Sequence, residues 1–213
     1  MSPVPFLSRL AVALAVALIA VAVPARAATI IDDWASVQAP PPPALAPAAV
    51  DPKTTALLIL DIVRQGCNAE RRPRCLDTLP AVHGLLERAR GAGVLVGYSL
   101  VRGATSADVL PPVAPLGSEP MVTSGTDKFL GTDLEATLHA KGIKTVIILG
   151  VVAQGAVLTT ATEAALRGFQ VVVPVDGVSS DSVYAEQYTA WDLMNAPVIA
   201  GHVVLTRTDL IQF

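Results

Sequence analysis

A single acid interrupts the apolar run Ala56 to Val63, ALLILDIV, and that residue, Asp61, is the first candidate for chemistry. Such runs mark parallel strands covered on both faces. A carboxylate held there costs free energy unless it is paired or used. At the tip of a buried strand it suits general acid or base work on a small organic molecule, with water as the nucleophile. The second candidate is Thr145 to Gly168, TVIILGVVAQGAVLTTATEAALRG, a strand running through a turn at Gly150 to Gly155 into a helix rich in small residues. This arrangement puts backbone N–H groups and a positive helix end at the carboxyl edge of a sheet. Val152, Ala153, Gln154 and Gly155 are therefore candidate substrate-binding residues, Gln154 by orienting a substrate or a water. Lys128 and Arg102 are secondary candidates, the lysine for catalysis and the arginine for a ligand carboxylate, since a solvated cation at either place needs no function.

Other motifs fail on inspection. Gly150-x-x-x-x-Gly155 is not followed by Lys-Ser/Thr, no G-x-G-x-x-G follows the first strand, and no G-x-S-x-G elbow is present. His83, His139 and His202 stand far apart without metal-ligand spacing, so neither a metal nor a cofactor is expected.

Gly150, Val151, Ala153, Val157, Thr160 and Ala161, followed by Gly168 and Phe169, resemble the nucleophile turn of the isochorismatase-like hydrolases, also called the cysteine hydrolase superfamily. FLGTDLE, from Phe129 to Glu135, matches the family as well. The resemblance covers residues 51–213 and implies that a catalytic cysteine should open the helix at the position of Ala156. Alanine offers no nucleophile there, so the thiolate route of the family's amidases does not carry over. Isochorismatases proper, which hydrolyse a vinyl ether without a cysteine, are the nearer likeness. The usual register of the family's lysine falls on Thr123; either Lys128 takes the role through a shifted loop or the second catalytic residue is missing too. The resemblance also implies that the first and central strands lie side by side, with Asp61 and the turn on one crevice, and that a non-proline cis peptide falls at Val152-Ala153. Two functions of different class follow: a cysteine-independent hydrolase using Asp61, or a non-catalytic relative that binds a small molecule or a partner protein.

The elements that must position these residues alternate regularly. Strands are expected at Ala56 to Val63, Val94 to Leu100, Thr145 to Leu149, Gln170 to Val175 and His202 to Thr206, with a short one near Met121. Helices are expected at Pro80 to Arg90, from a capping box at Thr132 to Glu135 to near Gly142, after Gly155, and at Tyr184 to Asn195. The long proline-bearing segment Val101 to Glu119 reads as an irregular loop. This pattern gives an α/β fold of three layers, a doubly wound parallel sheet of five to six strands flanked by helices.

Residues 1–27 read as a cleaved export signal: Arg9, the unbroken apolar run Leu10 to Val23, and the small-x-small site Ala25-Arg26-Ala27. A retained N-terminal anchor is the alternative. Residues 28–50, with Pro40 to Pro43 and Pro47, read as a tether, in which Ile30, Ile31 and Trp34 form one candidate docking patch. Residues 51–213 suit one domain with a sizeable core. In an exported chain, periplasmic or secreted, Cys67 and Cys75 are expected to pair across Arg71, Arg72 and Pro73. A formal net charge of −3 with no basic run disfavours nucleic acid. A small molecule is the expected partner, no membrane is expected once the signal is removed, and a homo-oligomer is left open.

Overall fold

The computed structural model describes residues 28–213, and the export signal expected over residues 1–27 lies outside the described residues. The chain divides into two compact units, Met1–Ala39 and Pro40–Phe213. In the first, one helical turn, α1 (Ile30–Asp33), is closed by the Thr29 N–H and hydroxyl donating to Asp32 at 2.8 and 2.9 Å.

The second unit carries the fold. Its main sheet contains β2 (Thr55–Leu60), β3 (Leu95–Leu100), β4 (Met121–Thr123), β5 (Thr145–Val151), β6 (Gln170–Pro174) and β8 (Val203–Thr206), in the order β4-β3-β2-β5-β6-β8. All these pairings are parallel. A seventh strand, β7 (Val178–Ser179), pairs with the end of β5, where the sequence pattern gave no strand. The helices are α2 (Pro73–Gly91), α3 (Leu134–Ala140), α4 (Leu158–Leu166) and α5 (Val183–Asn195). Strands β2 and β5 are buried along nearly their whole length because helices cover both faces of the sheet, which is why their sequences are apolar at successive positions.

The chain winds outward in both directions from the β2/β5 pair, so the topological switch point lies at the carboxyl ends of these two strands, where Leu60 stands opposite Gly150. Gly150 has φ 126°, and a Cβ built on it would lie 2.1 Å from the Leu60 carbonyl oxygen. Only glycine fits there, and its absence of a side chain lets the two strand ends approach.

Several boundaries differ from the sequence expectation. Helix α2 begins at Pro73, not Pro80: Pro73 supplies the first-turn proline, and Pro80 sits inside the helix, where one backbone bond is forgone. The capping box at Thr132 and Glu135 does not form. Thr132 Oγ1 instead accepts from the Leu134 N–H at 3.3 Å and donates to the Lys128 carbonyl at 2.7 Å, while Glu135 pairs with Arg167. The expected tether is divided: Pro40 to Val50 belongs to the second unit. There the Ala46 N–H donates to Leu205 O at 2.9 Å, and β1 (Ala48–Ala49) pairs with β9 (Ile211–Gln212) in a separate two-stranded sheet. Proline-rich composition marked this stretch as extended but carried no information about what it lies against. The loop after β3 is more ordered than expected, with single turns at Ser106–Asp108 and Pro111–Val113 and a bridge between Val63 and Val109.

Candidate active site

Asp61 is the first residue beyond β2 and adopts φ 55°, a left-handed conformation that side chains larger than glycine rarely take. The turn carries the carboxylate out of the strand line while its backbone N–H still donates to Ser99 O at 3.2 Å. The side chain is almost fully buried, and both its oxygens are used. Oδ1 accepts from the Ser99 hydroxyl at 2.8 Å and Oδ2 from Lys128 Nζ at 2.6 Å. The Lys128 side chain has no exposed surface, and its ammonium also donates to the Gly125 carbonyl at 2.7 Å. A buried ammonium is tolerable only with such partners, so the loop Ser124 to Thr132 is built to deliver it. Ser124 Oγ donates to Asp127 O, the Phe129 N–H to Asp127 Oδ1, and Thr160 of α4 ties its hydroxyl to Thr126 O at 3.2 Å.

After β5 the chain enters a single turn of π-helix, Ala153–Val157, before α4 continues. The cis peptide lies at Val151-Val152, one residue earlier than expected. A cavity of about 510 Å³ opens between this turn and Asp61, lined by Asp61, Val151, Val152, Ala156, Gln65, Gly66, Arg71, Arg72, Val101, Arg102, Ser124, Gly125 and Thr126. Asp61, Val152, Ala156 and Arg102 are thus brought to one crevice, and Lys128 stands directly behind Asp61. The other three turn residues are not on its wall. Ala153 is fully buried, Gly155 packs beside the Val152 side chain, and Gln154 is exposed with its carboxamide oxygen accepting from Ser180 Oγ at 2.6 Å.

Sequence reasoning missed Ser99, Thr160, Arg71 and Arg72. Ser99 gave the same signal as Asp61, a polar residue inside the apolar strand VLVGYSL. Arg71 and Arg72 lay in plain view between the cysteines. Those cysteines form a disulfide, Cα to Cα 5.4 Å, which ties the segment after β2 to the first turn of α2. Arg72 Nε lies 2.7 Å from Asp181, and its Nη1 donates to Gly66 O at 3.0 Å. Arg74 pairs with Glu186 through two bonds, and that carboxylate holds the Arg74 guanidinium above its ordinary range. Among the described residues, no group of three or more His, Cys, Asp or Glu is placed to hold a metal ion, and no helix is long and apolar enough to cross a membrane.

The arrangement offers a carboxylate fixed between a hydroxyl and an ammonium, one residue beyond a buried strand, facing a helix-opening turn across a small cavity. An isochorismatase domain family model matches residues 55–208. Streptothricin hydrolase of Streptomyces noursei is 32% identical over 159 residues, covering 70% of this chain and 54% of that protein, so the chain spans about half the length of this relative. The secreted isochorismatase effector Isc1 of Verticillium dahliae is 26% identical over 151 residues, covering 64% of this chain and 78% of that protein. Among solved structures, an isochorismatase family protein from Desulfovibrio vulgaris superposes with a TM-score of 0.67 at 19% identity, over 74% of this chain and 95% of that one. N-carbamoylsarcosine amidase from Thermoplasma acidophilum superposes with a TM-score of 0.61 at 22% identity, over 73% of this chain and 97% of that one. At these identities the two structures speak for the fold.

Proposed function

The chain belongs to the isochorismatase domain family, and from that premise we propose that it is an exported hydrolase that cleaves a small organic molecule without a cysteine nucleophile. The observation that carries this reading is the buried contact between Lys128 Nζ and Asp61 Oδ2 at 2.6 Å, at the wall of a cavity that Ala156 also lines. Asp61 acts as the general acid or base: it takes a proton from an attacking water or gives one to the leaving group. Lys128 holds that carboxylate in place and answers its charge. Backbone N–H groups at the opening of the turn and α4 receive negative charge developing on the substrate. The methyl of Ala156 occupies the place where a thiol would attack, so no covalent acyl-enzyme forms there. The export signal expected over residues 1–27 and the likeness to a secreted effector support action outside the cytoplasm, in a periplasm or beyond the cell.

The same Ala156 favours one other reading, a non-catalytic relative that binds a small molecule or a partner protein in the exported compartment. The two readings separate in one experiment. Candidate esters, amides and vinyl ethers are incubated with wild type and with Asp61→Asn, the folded state of each is checked by circular dichroism, and products are sought by mass spectrometry. The hydrolase reading expects product from wild type and none from folded Asp61→Asn. Turnover retained in that variant rejects the role of Asp61. Ligand-induced thermal stabilisation without any product favours the binder.

A further inference from the structure

We propose that Arg71 and Arg102 form a receiving site for a carboxylate on the substrate, which makes the ligand of this cavity an organic anion. The assignment rests on reading the cavity as the ligand site. Its first support is charge. Arg71, Arg72 and Arg102 line the crevice, and the carboxylate among its lining residues, Asp61, is already matched by Lys128 at 2.6 Å. With Arg72 paired to Asp181, the positive charge left uncompensated on the lining is that of Arg71 and Arg102, in a chain whose formal net charge is −3.

The second support is how the arginines are used elsewhere. Among the described residues, Arg64, Arg72, Arg74, Arg90, Arg167 and Arg207 each pair with a carboxylate, and Arg88 donates to the carbonyls of Thr208 and Ile211. Arg71 and Arg102 are the two whose guanidinium groups have neither an ion pair nor a side-chain hydrogen bond among the described residues, and both border the same cavity. A guanidinium presents a planar fork of donors matched to a carboxylate, and two such forks at one mouth bind an anion better than a neutral isostere.

The third support is rigidity. Arg71 sits within the loop closed by the Cys67–Cys75 disulfide, its own backbone N–H donating to Asn68 Oδ1 at 2.8 Å. On either side of α5's start, Arg72 is tied to Asp181 and Arg74 to Glu186. The loop bearing Arg71 is thus held before any ligand arrives, which lowers the ordering cost of binding.

Benzoate and benzamide, alike in shape and different in charge, serve as probes in NMR titrations of the purified protein and of Arg71→Gln and Arg102→Gln. Benzoate is expected to shift the amides of Val151, Val152 and Ala156 and to bind about tenfold or more tightly than benzamide, more weakly as salt rises. Each substitution is expected to weaken benzoate about tenfold while leaving benzamide unchanged. Equal affinity for the two probes, unchanged benzoate affinity in both variants, or no shift of the cavity amides overturns the proposal. The readout is binding, so a protein that binds benzoate selectively but turns nothing over defeats the hydrolase reading and leaves this assignment standing.

Discussion

At the residue scale, the candidate site turns on a buried pair of opposite charges, and the physics of such a pair lets its contribution to stability be measured apart from the catalytic role proposed for it. Lys128 has no exposed surface, and the Asp61 side chain is 9% exposed. Removing one partner strands the other charge away from water. Asp61→Asn and Lys128→Met are each expected to lower unfolding free energy by about 3 to 5 kcal/mol, measured in denaturant. Replacing both, Asp61→Asn with Lys128→Met, is expected to recover most of that loss, because no lone charge remains and asparagine tolerates the left-handed backbone at this position. Additive losses in the double variant would mean that the two charges do not meet in solution. The pair also explains what was legible beforehand. Asp61 announced itself because a carboxylate in ALLILDIV has no cheap structural excuse. Lys128 gave no comparable sign, since TDKFLG reads equally well as a solvated helix entrance. Only the fold of the loop from Ser124 to Thr132 turns its ammonium inward.

At the scale of elements, the site is made by two strand ends brought together, and Gly150 is the residue that permits it. Gly150→Ala places a methyl against the Leu60 carbonyl and forces a side chain into an unfavourable backbone region. A loss of about 3 kcal/mol is expected from strain and overpacking, read as a lower denaturation midpoint. An unchanged midpoint would show that β2 and β5 can separate at this end at little cost. The main strands were readable in the sequence because fully covered parallel strands are apolar at successive positions over a short run, whereas the side-by-side placing of the first and central strands came from the family resemblance. What escaped was set by contacts distant in sequence. The start of α2 is fixed by the disulfide and by Pro73, the seventh strand exists only because β5 offers it an edge, and Thr132 serves Lys128 and Leu134 where its spacing suggested Glu135.

For the molecule as a whole, the compact unit begins earlier than its composition implied. The stretch from Pro40 to Val50 lays Pro42, Pro43 and Leu45 along an apolar hollow of about 440 Å³ beside α5 and β8, and then adds β1 to β9. A protein starting at Asp51 is therefore expected to melt below one starting at Pro40, because it loses the bond from Ala46 to Leu205, the β1–β9 pairing and the cover over Leu193 and Leu205. Equal melting temperatures would return this stretch to the role of a simple spacer. The covalent link between Cys67 and Cys75 has its own corollary for biogenesis. Because these are the two sulfhydryls present in the 213 residues, intramolecular oxidation has a single outcome. No shuffling enzyme is required to choose among isomers, and the hazard that remains is cross-linking between neighbouring molecules before each has closed its own ring.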